Sequence, residues 1–224
     1  FRDYVPYQKR SDVPVSTDKG FIALSYFGVT PTGTETLMAS DRLYEHLTAL
    51  RDSGFVTITQ QDIIDYYEQG KVLPEKAVFL MFEDGRRDTA VFAQKILEEL
   101  NYKGTAMTYA ERITRKEPNF LKAAELQDLY GNGFWEMGTN GYRLEFINCF
   151  DRYDNYLGEL TVYKYAMLAP YIGKKFNHYL MDYLRDAYDF PKESYNVMQD
   201  RISYDYEKLR DIYKENIGFV PQTY

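Results

Sequence analysis

The chain has a single cysteine, Cys149, so it forms no disulfide within itself and offers no thiolate cluster to a metal ion. Histidine is almost as scarce: His46 and His178 are the only two in 224 residues. No apolar run approaches the roughly eighteen residues of a membrane-spanning helix. There is no basic surplus either. A net charge of −7 at pH 7 argues against a nucleic-acid partner, because such binders present a cationic face. No signal peptide is visible, and the chain opens at Phe1 without an initiator Met, which is the expectation for an excised domain or a mature fragment.

What is present is a globular composition, 45% hydrophobic and 27% charged, with 23 tyrosines. Residues 1–20 read as an irregular lead-in. Residues 21–27 form a short apolar run suited to a buried strand, followed by a Gly/Thr/Pro-rich loop. Residues 41–53 carry Leu43, His46, Leu47 and Leu50 at helical spacing, with Gly54 just beyond. After a strand at 55–58, Thr59 caps a helix with Asp62 three residues on, and Ile63, Ile64 and Tyr67 form its inner stripe. The apolar strand Ala77–Phe82 ends in Glu83, Asp84 and Gly85. Asp88 is then expected to cap a helix whose inner face is Val91, Phe92, Ile96 and Leu100. A strand at 104–108, a helix at 121–130 and a strand at 133–137 follow. Strands alternating with helices imply parallel pairing and right-handed crossovers, hence a barrel or a doubly wound sheet.

The pattern changes after Asn148. Residues 156–187 read as helical and Tyr-rich, broken at Pro170. Pro191 then opens a long helix with Tyr195, Met198, Ile202, Tyr206, Leu209 and Tyr213 on one face. Residues 217–221 suggest the start of one more strand.

Several stretches, in order, resemble one known family. Tyr26-Phe27 stands where that family often has Tyr-His. Leu73-Pro-Glu-Lys-Ala-Val-Phe-Leu-Met-Phe-Glu-Asp-Gly85, continued by Arg87-Asp88, is similar to its first motif, and Gly133-Phe-Trp-Glu-Met-Gly-Thr139 to the run before its second. The family is that of the polysaccharide deacetylases, also called the NodB-homology or carbohydrate esterase 4 domain. The resemblance implies one domain over 1–224 with the fold of a distorted (β/α) barrel, incomplete at its C-terminus, bearing a helical insert at 150–190. It implies a carbohydrate polymer or oligosaccharide as partner, an extracellular or cell-envelope location, and further domains in a longer native protein. Residues 219–224 resemble the approach to a third motif, and the family's C-terminal general-acid histidine has no counterpart.

In that family the first acid of the strand-end pair is the general base, and the second binds a divalent metal such as zinc with two histidines spaced i, i+4. Here those positions are Glu83, Asp84, Asn140 and Leu144. Asn offers only a neutral carbonyl oxygen and Leu offers nothing, whereas a zinc-like ion needs three good donors and an open position. No cofactor is therefore expected, and the metal-activated water is lost. Glu83 and Asp84 remain as the candidate catalytic acids, with Arg86 and Arg87 near enough in sequence to offset their repulsion. Arg86, Asn140 and Tyr142 are the candidate substrate-binding residues. His46 and His178 read as structural, and Glu136 as turned away from the site, which disfavours a two-carboxylate glycosidase arrangement.

Thirteen of the 23 tyrosines fall between Tyr142 and Tyr213. Helical spacing assigns Tyr195, Tyr206 and Tyr213 to packing, while Tyr142, Tyr153 and Tyr156 stay candidates for stacking on sugar rings. The leading expectation is a carbohydrate-binding or accessory module that has lost the metal site. The alternatives are an active, divergent hydrolase acting on N-acylated sugars, and a protein-interaction module of a larger exported protein.

Overall fold

The computed structural model describes residues 5–115 and 117–223, so the first four residues of the lead-in and Tyr224 of the C-terminal motif lie outside the described residues. The chain divides into two compact units, Phe1–Asn140 with Ile212–Tyr224, and Gly141–Asp211.

In the first unit the apolar runs form a five-stranded sheet of β1 (Ile22–Tyr26), β2 (Val56–Thr57), β3 (Ala77–Phe82), β4 (Gly104–Thr108) and β5 (Trp135–Thr139). Every pairing is parallel, in the order β1-β3-β4-β5, with β2 joined to the start of β3. β3 buries Ala77, Val78, Phe79, Leu80 and Phe82, as a parallel strand covered on both faces should. Phe82 stacks on Tyr26 at 5.6 Å and meets Trp135 at 5.1 Å, tying three strands through one aromatic layer. The crossovers are α1 (Ser40–Asp52), α2 (Gln60–Gln69), α3 (Arg87–Leu100), α4 (Ala110–Thr114) and α5 (Ala123–Gly131). Among the described residues no strand links β1 to β5, so the pairing is an open sheet where the resemblance implies a barrel. Residues 217–221 form no strand; the tail instead offers the Thr223 carbonyl to Thr139 N at 3.0 Å on the edge of β5.

Local expectations hold in part. Thr59 and Asp62 form a reciprocal capping box on α2, and Gly70 ends the helix in the left-handed conformation, φ 64°. On α2, however, Tyr66 packs on the core beside Ile63, while Tyr67 is 72% exposed. α3 turns Ala90, Ala93, Ile96, Leu97 and Leu100 inward and leaves Val91 outside. Two alanines thus occupy buried positions, which ranking side chains by hydrophobicity overlooks. Asp88 is not the cap. α3 begins at Arg87, and Asp88 lies in its first turn, accepting from Thr89 N.

The second unit corrects the helical reading of residues 156–187. It is an antiparallel sheet of β6 (Glu145–Phe150), β7 (Tyr156–Thr161) and β8 (Asn177–His178), ordered β7-β6-β8, with one short helix, α6 (Val162–Leu168). The Asp151 carboxylate accepts from Tyr153 N and Asn155 N, both at 2.8 Å, and so folds the β6–β7 turn. Aromatic-rich sequence suits strands as well as helices, and cross-strand packing decides between them. Phe146, Cys149 and Leu160 form the core, with Tyr165 stacked on Phe146 at 3.9 Å.

The last helix, α7 (Tyr195–Asn216), starts four residues after Pro191, where the Ser194 hydroxyl accepts from Val197 N. Its evenly spaced tyrosines divide: Tyr195 and Tyr206 are exposed, and Tyr213 is fully buried. From Ile212 onward α7 belongs to the first unit, where the Tyr213 hydroxyl meets the Thr108 hydroxyl and the carbonyls of Thr108 and Gly138.

Candidate functional site

β3 carries Glu83, Asp84 and Gly85 at its carboxyl end, the end where open parallel sheets place their ligands. The chain turns sharply there, with Asp84 at φ 68° and Gly85 at φ 60°. A Cβ on Gly85 would stand 2.6 Å from Thr108 Cγ2, so glycine is required by space as well as by conformation. Asp tolerates the left-handed region better than most residues.

Three strand ends converge on the Glu83 carboxylate. Ser25 Oγ of β1 donates to one oxygen, and Asn140 Nδ2, one residue past β5, donates to the other at 2.8 Å. Asn140 is itself anchored by its backbone N–H to the Thr108 carbonyl at 2.9 Å. Asp84 faces Arg112, with Nη1 3.7 Å from its carboxylate and 3.3 Å from its carbonyl oxygen. Arg112 is 12% exposed and lies over the Phe120 ring at 3.9 Å. Burial raises the Asp84 pKa; Arg112 opposes this, and the neighbouring Glu83 adds to it.

Arg86 is turned to Asp88 in a two-pronged pair at 3.0 and 2.6 Å, and Arg87 to Glu125 and the Pro118 carbonyl. The main cation for Asp84 is therefore Arg112, with a smaller contribution from Arg86. Tyr142 belongs to the second unit and is not assigned to this cluster. His46 is exposed on α1, and His178 packs against Phe146 and Phe176 in the second unit. Glu136 accepts from Gln60 N at 2.9 Å, away from Glu83's partners, and burial raises its pKa. Ser25, near the end of β1, and Arg112, in the short helix α4 that follows β4, carry no motif that singles them out in the sequence.

The donors do not fit a divalent metal. Asn140 aims its amide nitrogen, not its oxygen, toward the acids, and Asp84 is engaged by Arg112. Among the described residues no three His, Cys, Asp or Glu side chains are grouped to share an ion. What the cluster can do is hydrogen-bond. Each Glu83 oxygen keeps a lone pair after its internal bond, Asn140 Nδ2 keeps a second N–H, and Arg112 stands at the adjacent Asp84, a set suited to a polyhydroxylated ligand.

No protein-family model matches the chain. The poly-β-1,6-N-acetyl-D-glucosamine N-deacetylase of Escherichia coli K12 is 32% identical over 88 residues, covering 37% of this chain and 13% of that protein. The chain thus matches only a small part of that relative's length. Among solved structures, a de-N-acetylase from Aggregatibacter actinomycetemcomitans superposes with a TM-score of 0.66 at 18% identity, over 90% of this chain and 77% of that one. The BpsB deacetylase domain from Bordetella bronchiseptica gives a TM-score of 0.66 at 16% identity, over 93% and 80%. IcaB from Ammonifex degensii gives 0.63 at 16%, over 91% and 72%. These likenesses establish the fold.

Proposed function

For a chain that belongs to the polysaccharide deacetylase family, we propose a role in extracellular or cell-envelope polysaccharide metabolism as a carbohydrate-binding or accessory module, without the family's metal-dependent hydrolysis. The chain serves it as one deacetylase-type domain, built on an open parallel sheet where the family has a distorted barrel, and the breadth of the structural likeness supports that reading. The observation that carries the proposal is the Asn140 amide donating to Glu83 at the position where the family resemblance places a metal-binding histidine. A carboxylate held by Ser25 and Asn140 is organised to accept hydrogen bonds from sugar hydroxyls, and Arg112 and Asp84 extend the polar surface. Asp84 and Arg86 hold no substrate proton in this reading; they shape the strand end.

The test is calorimetry of the full chain with β-1,6-linked N-acetylglucosamine oligomers, run beside an acetate-release assay with zinc added. Binding without acetate is expected, weakened about tenfold by Glu83→Ala through loss of a charge-assisted hydrogen bond. Acetate release that depends on Glu83 would replace this reading with that of a live hydrolase. Absence of binding would overturn it.

A further inference from the structure

The β6–β7 turn of the second unit presents an aromatic surface that nothing in the strand-end site uses. Tyr153 is 69% exposed and Tyr171 54% exposed, a large cost for rings that could have packed inward. Between them lies Arg152, its guanidinium 4.9 Å from the Tyr153 ring centre and 5.4 Å from that of Tyr171. The two loops that carry these rings are locked together. Arg152 N donates to the Tyr171 carbonyl at 2.7 Å, and Gly173 N to the Phe150 carbonyl at 2.8 Å. A Cβ at Gly173 would sit 2.7 Å from the Asp151 carbonyl oxygen, so only glycine lets the loops approach this closely. The turn is braced from within by Asp151, which accepts from Tyr153 N, Asn155 N and Asn155 Nδ2. The rings are therefore exposed on a rigid mount.

We infer that Tyr153, Arg152 and Tyr171 form a sugar-stacking surface of the second unit that takes the pyranose rings of a neutral, N-acylated polysaccharide. The inference rests on the carbohydrate-binding reading above and adds a separate site to it. Aromatic faces pack against the C–H faces of a pyranose, and a guanidinium donates to hydroxyl or acetamide oxygens. Among the described residues no carboxylate pairs with Arg152, and Asp154 is already held by Lys175 at 3.0 Å. The local charges decide between ligands. Asp151, Arg152, Asp154 and Lys175 cancel, and Lys174 shares its hollow with Asp182, Arg185 and Asp189, so no row of cations of the kind a nucleic-acid backbone demands is present among these residues. A neutral ligand with many hydroxyls fits this balance.

The experiment is calorimetry of the full chain with β-1,6-linked N-acetylglucosamine oligomers, comparing Tyr153→Ala/Tyr171→Ala, Tyr153→Phe/Tyr171→Phe and Glu83→Ala. Circular dichroism melts check folding, which exposed side chains should leave unchanged. The double alanine variant is expected to bind at least tenfold more weakly, and the double phenylalanine variant within about twofold of the parent, since the ring face makes the contact. Undiminished binding by the double alanine variant overturns the surface while leaving the strand-end reading standing. Loss in the alanine variant with no change in Glu83→Ala supports the surface and overturns the strand-end site. A parent chain that binds no oligomer, or that retains single-stranded DNA here instead, overturns the inference.

Discussion

Asp84 occupies a left-handed turn, is half-buried, and has its carboxylate 3.7 Å from Arg112; partial burial outweighs that cation and lifts its carboxyl above the ordinary 3.8. An acid whose pKa rises on folding contributes fully to stability below its unfolded value, and that contribution is lost as pH climbs through the folded value. Ionised Asp84 thus costs stability at neutral pH. Asp84→Asn removes the charge and keeps a side chain at ease with positive φ, so it should raise Tm at neutral pH. The gap to the parent should close on acidification toward 3.8. Thermal melts across that range check it; a variant less stable at neutral pH would show that the Arg112 contact outweighs burial. Glu83 and Asp84 stand out by residue type at the end of an apolar strand, whereas Asn140 is pointed to only by the family resemblance. Arg112 and Ser25 were not legible, because their neighbours are set by strand order. Arg86 eases the Asp84 charge as its place along the chain suggests, though less than Arg112 does and with its fork given to Asp88, while Arg87 is turned to Glu125.

At the scale of elements, the turn from β3 into α3 concentrates its constraints on Gly85. Its φ of 60° and the 2.6 Å approach of Thr108 Cγ2 to a would-be Cβ act together. Gly85→Ala should cost on the order of 1–3 kcal/mol, read as a lower urea midpoint at unchanged slope. An unchanged midpoint would mean that the turn relaxes without penalty. The first unit's elements were readable because apolar strands and amphipathic helices alternate with clear punctuation: Thr59 with Asp62 at one helix start, Gly70 at its end. The second unit lacked such signals. Its tyrosines fit a helical or a strand period equally, and the turn that makes β6 and β7 a hairpin depends on the Asp151 side chain. Only Pro170, just beyond the end of α6, was punctuation the sequence reading used correctly.

At the scale of the whole molecule, composition supplies one probe for each unit. Trp135, the sole tryptophan, is buried in β5 of the first unit, and Cys149, the sole cysteine, is buried in β6 of the second. Burial pushes the Cys149 thiol up to about 11, so it should resist thiolate-directed reagents until its own sheet opens. The second unit is inserted between Asn140 and Ile212 of the first, and α7 crosses the boundary at Asp211 without a break. Helix propagation is cooperative, so fraying the second unit's end of α7 removes support from the turn that seats Tyr213 in the first unit's core. Tryptophan emission and Cys149 labelling followed through one urea titration should therefore give coincident midpoints, the mark of a single cooperative transition. Labelling that is complete before the tryptophan signal moves would mean that the insert unfolds by itself and that α7 does not couple the two units.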